Sequence, residues 1–156
     1  MSSHPFVEVD DFVDVCIRSY ALDLHRYALP MKSAFATYLR ENPRVKAVFV
    51  GTRRTDPHGE FLNHFDRTDH GWPDFMRVQP VIDWHYQEVW AFLRELEVPY
   101  CCLYDMGYTS LGGTTDTHPN PVLQLPAAEE GEGAKPRFRP AYELVEDLQE
   151  RLGRDR

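Results

Sequence analysis

The sequence is short of cysteine, of basic charge and of long apolar runs, and each shortage excludes a class of protein. Its three cysteines are Cys16, Cys101 and Cys102. An odd count with an adjacent pair makes a poor disulfide framework, which points to a reducing compartment, the cytoplasm. Lys and Arg number 17 against 25 Asp and Glu, a formal charge of −8. That balance disfavours nucleic acid or an anionic membrane as partner, since either needs a net basic face. No apolar run approaches the roughly 18 residues of a membrane span. The opening Met-Ser-Ser-His-Pro lacks the basic and apolar regions of a secretory leader. Walker A, GxGxxG and GxSxG patterns are missing, as are internal repeats. What is present suits one soluble domain over residues 1–156. Apolar residues make up 42%, enough for a core, and 27% charged with 13% aromatic residues argues against disorder.

The order of segments reads as α/β. Val9, Phe12, Val13, Cys16, Ile17 and Tyr20 recur at helical spacing, and Glu8, Asp10 and Asp11 suit the positive end of the helix dipole. A second helix is predicted from about Pro30 to Arg40, stopped by Asn42-Pro43. Val45 to Val50 is β-branched and nearly all apolar, the pattern of a strand buried on both faces, and Gly51 ends it. A second strand is predicted over Met76–Ile82, made irregular or an edge by Pro80. Asp83 is placed as the cap of a helix carrying Val89, Trp90, Phe92, Leu93 and Leu96. Val98 to Tyr104 is too short for periodicity to decide. Gln124 to Pro136 reads as a surface loop. Pro140 opens a last helix with Ala141, Leu144, Val145, Leu148 and Leu152 on one face and Gly153 at its end. One firm strand is too few for a parallel sheet flanked by four helices. Either strands hide in the irregular stretches, or the first strands of a larger α/β domain are missing; the second reading is favoured.

Ligands of such sheets lie beyond the carboxyl ends of the strands, which directs attention to Gly51-Thr-Arg-Arg-Thr-Asp-Pro57. Arg53 and Arg54 can clamp phosphate oxygens, and Asp56 can orient an arginine, accept from a ligand N–H or help hold a metal. The plain alternative is a surface Arg–Asp pair across a turn. In Thr68-Asp-His-Gly-Trp-Pro73, Trp72 can stack on a flat ring and Asp69 can contact its edge or activate a nucleophile; equally, Trp72 can plug a core in a tight turn. The glycines and hydroxyls of Asp105–Gly113 can offer N–H groups to phosphate or form a loop with no ligand. His58, His64 and His70 lack zinc-site spacing. Cys101-Cys102 reads as a pair of buried, inert thiols. Arg151 and Arg154 near the C-terminus either compensate a helix dipole or hold phosphate.

Taken in order, Gly51-Thr-Arg-Arg-Thr-Asp-Pro57, Asp69-His-Gly-Trp-Pro-Asp-Phe-Met-Arg77, Pro80-Val-Ile-Asp-Trp84, Leu103-Tyr-Asp-Met-Gly-Tyr-Thr-Ser-Leu-Gly112, Thr117-His-Pro-Asn-Pro-Val-Leu123 and Glu150-Arg-Leu-Gly-Arg154 resemble the eukaryotic-type FAD synthases (FMN adenylyltransferases). That family belongs to the phosphoadenosine-phosphosulfate-reductase-like superfamily. The resemblance implies a Rossmann-like parallel sheet flanked by helices. It also implies FMN and ATP as substrates, FAD as product, and Mg²⁺ entering with ATP. It implies catalytic roles for Asp69 and Arg151 and ligand contacts for Gly51, Arg53, Arg54, Asp56, Trp72 and Arg154, and assigns no metal ligand.

Two departures stand out. His70 replaces a proline usual in the family. The Ser-x-Gly-Gly-Lys-Asp type loop that the family carries near its N-terminus has no counterpart. The chain therefore reads as the C-terminal portion of the family's domain, its N-terminal strands absent, with self-association or a completing N-terminal segment to be expected. The alternative function is a non-catalytic flavin or nucleotide module completed by another chain. A sulfonucleotide reductase is disfavoured because the reactive cysteine of that group's C-terminal tail is missing.

Overall fold

A computed structural model describes residues 4–126 and 136–155. The chain divides into two compact units, one formed by His25–His85 and the other by the residues up to Leu24 together with the chain from Tyr86 onward.

The first unit holds helix α2 (Met31–Glu41) and strands β1 (Ala47–Phe49), β2 (Phe65–Arg67) and β3 (Met76–Val78) in the order β1-β3-β2. β1 runs parallel to β3, pairing Ala47 with Met76 and Phe49 with Val78. β2 runs antiparallel to β3, pairing Phe65 with Val78. The mixed sheet has the expected α/β character, and β2 is a strand that had hidden in an irregular stretch. Two expectations change. β3 is central rather than an edge, and it stops at Val78, before Pro80 can interrupt a ladder. β1 is not buried on both faces: Phe49 is 79% exposed. The reason is that β1 lies at the edge, paired only with β3 among the described residues, and α2 buries no residue that would cover it.

In the second unit, helix α1 (Val7–Tyr20) follows Phe6, which packs with Cys101 and Leu103 and meets the Tyr108 ring edge-on at 5.5 Å. Helix α3 (Tyr86–Glu95) presents Tyr86 and Trp90 to a core completed by Leu123, Ala141 and Leu144. Trp90 meets Tyr100 and Tyr104 edge-on at 5.0 and 5.2 Å, the geometry favoured by ring quadrupoles. Asp83 does not cap α3. The Tyr86 N–H donates to Asp147 Oδ1 at 2.6 Å, while Asp83 faces Arg54. Cys101 is buried as expected, its thiol pushed up by burial, but Cys102 is exposed. Residues Cys102–Met106 form a 3₁₀ turn. Most of the expected surface loop lies outside the described residues.

The last helix does not form. Two single 3₁₀ turns, Ala141–Glu143 and Asp147–Gln149, stand in its place, separated by extended backbone at Leu144 and Glu146. The reason is competition for carbonyls. The Ala141 oxygen, which a helix would give to the Val145 N–H, accepts instead from the Tyr86 hydroxyl at 3.0 Å, and the backbone extends at Leu144.

The core of the second unit is tied to one side chain. Trp90→Ala should cost about 3–5 kcal/mol of unfolding free energy, and Trp90→Phe distinctly less. Denaturant titration with unchanged slope checks this; a loss below about 1 kcal/mol for the alanine variant would contradict the packing described.

Candidate functional site

The residues singled out in sequence gather into two groups, one in each unit. In the first unit the chain leaves β1 through Gly51 and turns at once. Arg53 is 7% exposed; its backbone N–H and its Nη2 both donate to the Asp56 carboxylate at 2.8 Å, and the Asp56 N–H returns a bond to the Arg53 carbonyl. This closes a side-chain-braced turn. The Arg54 N–H donates to the Ile82 carbonyl at 2.8 Å, stitching the turn to the segment after β3. Its guanidinium spans Asp83 Oδ1 at 2.5 Å and the Leu62 carbonyl at 2.6 Å, and its side chain stays 41% exposed. Gly51 is exposed with open space where a Cβ would stand, so sterics do not demand glycine there.

Asp69 and Trp72 lie in the loop that joins β2 to β3. The loop is closed by Thr68 N–H to Phe75 O at 3.2 Å and by Trp72 N–H to Asp69 O at 3.0 Å. Trp72 is 40% exposed rather than a core plug. The Asp69 carboxylate is open to solvent and receives two long contacts, 3.4 Å each, from the Arg77 guanidinium, which also donates to the Arg67 carbonyl. One unit thus presents a half-exposed arginine, an exposed carboxylate and a half-exposed indole, groups suited to an anionic ligand carrying a flat ring. Sequence reasoning missed Arg77, Asp83 and the fully buried Gln79, whose amide donates to the Asn63 carbonyl at 2.7 Å. The only signal for Gln79 was its place just after a strand.

The second unit holds Arg151 and Arg154, and separates their roles. Arg154 lies over Gly112, where a Cβ would come within 2.2 Å of its guanidinium, and it donates to Asp116 Oδ2 at 3.2 Å. Gly153 likewise has no room for a side chain: a Cβ would stand 2.2 Å from the His118 carbonyl. The Gly153 carbonyl accepts from His118 N–H at 2.8 Å. The two glycines are close-approach points. Gly153 ends no helix, and the Gly113 N–H is spent on Asp116 rather than held out to a phosphate. Arg151 is exposed, and its side chain makes no hydrogen bond or ion pair among the described residues. Asp116 is held below its ordinary value of 3.8 by the Gly113 N–H, then the Thr117 hydroxyl, with Arg154 adding to both. Asp116, Thr109 and Asn120 were missed in sequence; only the turn-forming Asn120-Pro121 pair hinted at one of them.

Residues 18–119 match the phosphoadenosine phosphosulfate reductase domain, and the chain belongs to that family. Within it the likeness is to the eukaryotic-type FAD synthases. The chain is 47% identical to the probable FAD synthase of Schizosaccharomyces pombe over 96% of its length, and 38% identical to the flavin adenine dinucleotide synthase of Saccharomyces cerevisiae over 76%. Its backbone superposes on Candida glabrata FMN adenylyltransferase in complex with FAD and inorganic pyrophosphate with a TM-score of 0.90, at 30% identity over 98% of the chain. It spans 54% and 41% of the two curated relatives and 66% of the solved one.

The depressed Asp116 carboxyl gives a pH prediction. A group whose folded value lies below its unfolded value stabilises above the unfolded value and loses that contribution as pH falls through the folded one. The Arg154–Asp116 docking should therefore be intact above about pH 4 and loosen below it, and Asp116→Asn should flatten that acid limb. Limited proteolysis between residues 149 and 155 at graded pH reads this out; equal cleavage of both proteins at every pH would contradict it.

Proposed function

We propose that the chain carries the flavin-side part of an FMN adenylyltransferase, which transfers AMP from ATP to the phosphate of FMN and yields FAD and pyrophosphate. The observation that carries this reading is the pairing of the braced Arg53–Asp56 turn with the Asp69–Trp72 loop in one unit of a chain 47% identical to a probable FAD synthase. In this chemistry an FMN phosphate oxygen attacks the α-phosphorus and pyrophosphate leaves, so no protein nucleophile is needed. Catalysis rests on holding the accumulating negative charge in place.

Arg54 and Arg151 are the cations placed to meet phosphate, and Trp72 offers a face to the flavin ring. Asp69, whose exposed carboxylate faces Arg77, is the residue proposed to matter for turnover, accepting from a ligand donor. Gly51, Arg53 and Asp56 act beside Arg54 in one unit, and Arg154 beside Arg151 in the other, as ligand-contacting or loop-holding residues; Arg53, Asp56 and Arg154 are already engaged in the turns they brace. Magnesium would come bound to the ATP phosphates. Among the described residues no group of three His, Cys, Asp or Glu side chains is arranged to hold a metal ion. No helix among the described residues is long and apolar enough to cross a membrane, and the cytoplasm is the compartment proposed.

The Gly-Gly-Lys-Asp type loop is not in this sequence, so the triphosphate is left to a completing segment or a second chain. The 156-residue chain should therefore bind FMN but make little FAD. Incubation with FMN, ATP and Mg²⁺ tests both halves, with binding followed by flavin fluorescence and FAD by chromatography. Saturable FMN binding with FAD formation far below about 1 per second is expected. Failure to bind FMN would overturn the flavin reading, and turnover at about 1 per second or faster would overturn the division of labour.

A further inference from the structure

We propose that Asn120 is a positioning residue that fixes the C-terminal segment so that Arg151 stands where a phosphate can meet it; this rests on the reading of Arg151 as a phosphate-handling cation. Asn120 is 0% exposed. Its Nδ2 donates twice, to Thr109 Oγ1 at 2.9 Å and to the Gln149 carbonyl at 2.7 Å. Its Oδ1 accepts from the Val122 N–H at 3.0 Å, and its own N–H donates to the Gly107 carbonyl at 2.8 Å. Only one orientation of the amide satisfies these partners, because two acceptors face one end and a donor faces the other.

The relay does not stop at Thr109. Having accepted from Asn120, the Thr109 hydroxyl donates to the Glu150 carbonyl at 2.5 Å. The two carbonyls immediately before Arg151 are therefore both held from one buried side chain. Beyond Arg151, its own carbonyl accepts from Arg154 N–H at 3.0 Å, and Gly153 O accepts from His118 N–H at 2.8 Å. Arg151 is thus clamped through its backbone on both sides while its guanidinium remains exposed, with no hydrogen bond or ion pair among the described residues. A fully buried amide is a costly device where an apolar side chain would fill the space. Here it sets the path of three residues rather than filling a core.

Asn120→Asp tests the assignment with least change of shape. It keeps the acceptor for Val122 but replaces the double donor with a carboxylate facing the Gln149 carbonyl. Thr109→Val is the second variant; it removes the link to Glu150 together with the hydroxyl that accepts from Asn120, and keeps the Asn120 bond to the Gln149 carbonyl. Calorimetry on the 156-residue chain would compare three ligands: FMN, inorganic pyrophosphate, and riboflavin, which lacks phosphate. Arg151→Ala should weaken one of the phosphate ligands by roughly 10- to 100-fold and leave riboflavin alone, as expected for one charge-assisted contact. Asn120→Asp should reproduce that signature, Thr109→Val should give a smaller loss of the same kind, and combining Asn120→Asp with Arg151→Ala should add little.

Arg151→Ala with unchanged affinities for both phosphate ligands would overturn the underlying reading of Arg151. If Arg151→Ala acts but both folded relay variants bind as the parent does, the positioning role alone is overturned. It is likewise overturned if they weaken riboflavin as much as FMN, the mark of general loosening.

Discussion

Most of this backbone lies outside helices and ladders, and every buried N–H and carbonyl there must still find a partner. The three strands are three residues each, and the long connections between elements have no repeating pattern to satisfy them. Short acidic and amide side chains take up that work. Asp56 caps the Arg53 N–H, Asp66 the Asn63 N–H, Asp116 the Gly113 N–H and Asp147 the Tyr86 N–H. Asn120 serves both kinds of group at once. The acidic composition is thus partly a structural requirement: carboxylates three residues from an N–H, or 61 residues away in the case of Asp147, replace secondary structure where the chain must stay irregular to form loops.

That constraint also explains what the residues did and did not reveal. The first two helices were legible because their pattern is local, and Val7–Tyr20 and Met31–Glu41 lie close to their expected bounds. The C-terminal segment has the same apolar spacing yet forms only turns, since its Ala141 carbonyl is claimed by the Tyr86 hydroxyl from 55 residues away in sequence. Competition at that distance leaves no mark on periodicity. The exposure of Phe49 is of the same kind: the sequence of a strand tells its buried character, not whether anything lies against it. The arginine turn after β1 was legible from its position at a strand end. Its bracing by Asp56 was partly so, whereas Asp83, Arg77 and Asp116 belong to contacts made across the fold.

The cations fall into two kinds. Arg53 and Arg154 are bound to carboxylates and hold turns together, while Arg54, itself paired with Asp83, and Arg151 keep more of their surface open. A net charge of −8 leaves no general positive field, so a phosphate ligand of the proposed kind would be met by local clusters. Such clusters must be held in place to be useful, and the side-chain-braced turns do that without regular structure. Membership of the phosphoadenosine phosphosulfate reductase domain family and the likeness to FAD synthases fit this design, in which a common sheet carries loops that differ in chemistry.

The central claim is that the Arg53–Asp56 turn and the Asp69–Trp72 loop, which belong to one unit, serve one flavin nucleotide. Amide chemical shifts of the isotopically labelled chain, recorded while FMN is added, test it most directly. Saturable shifts are expected at residues 53–56 and 69–72 together. Shifts confined to one of these two segments, or absent from both, would contradict it.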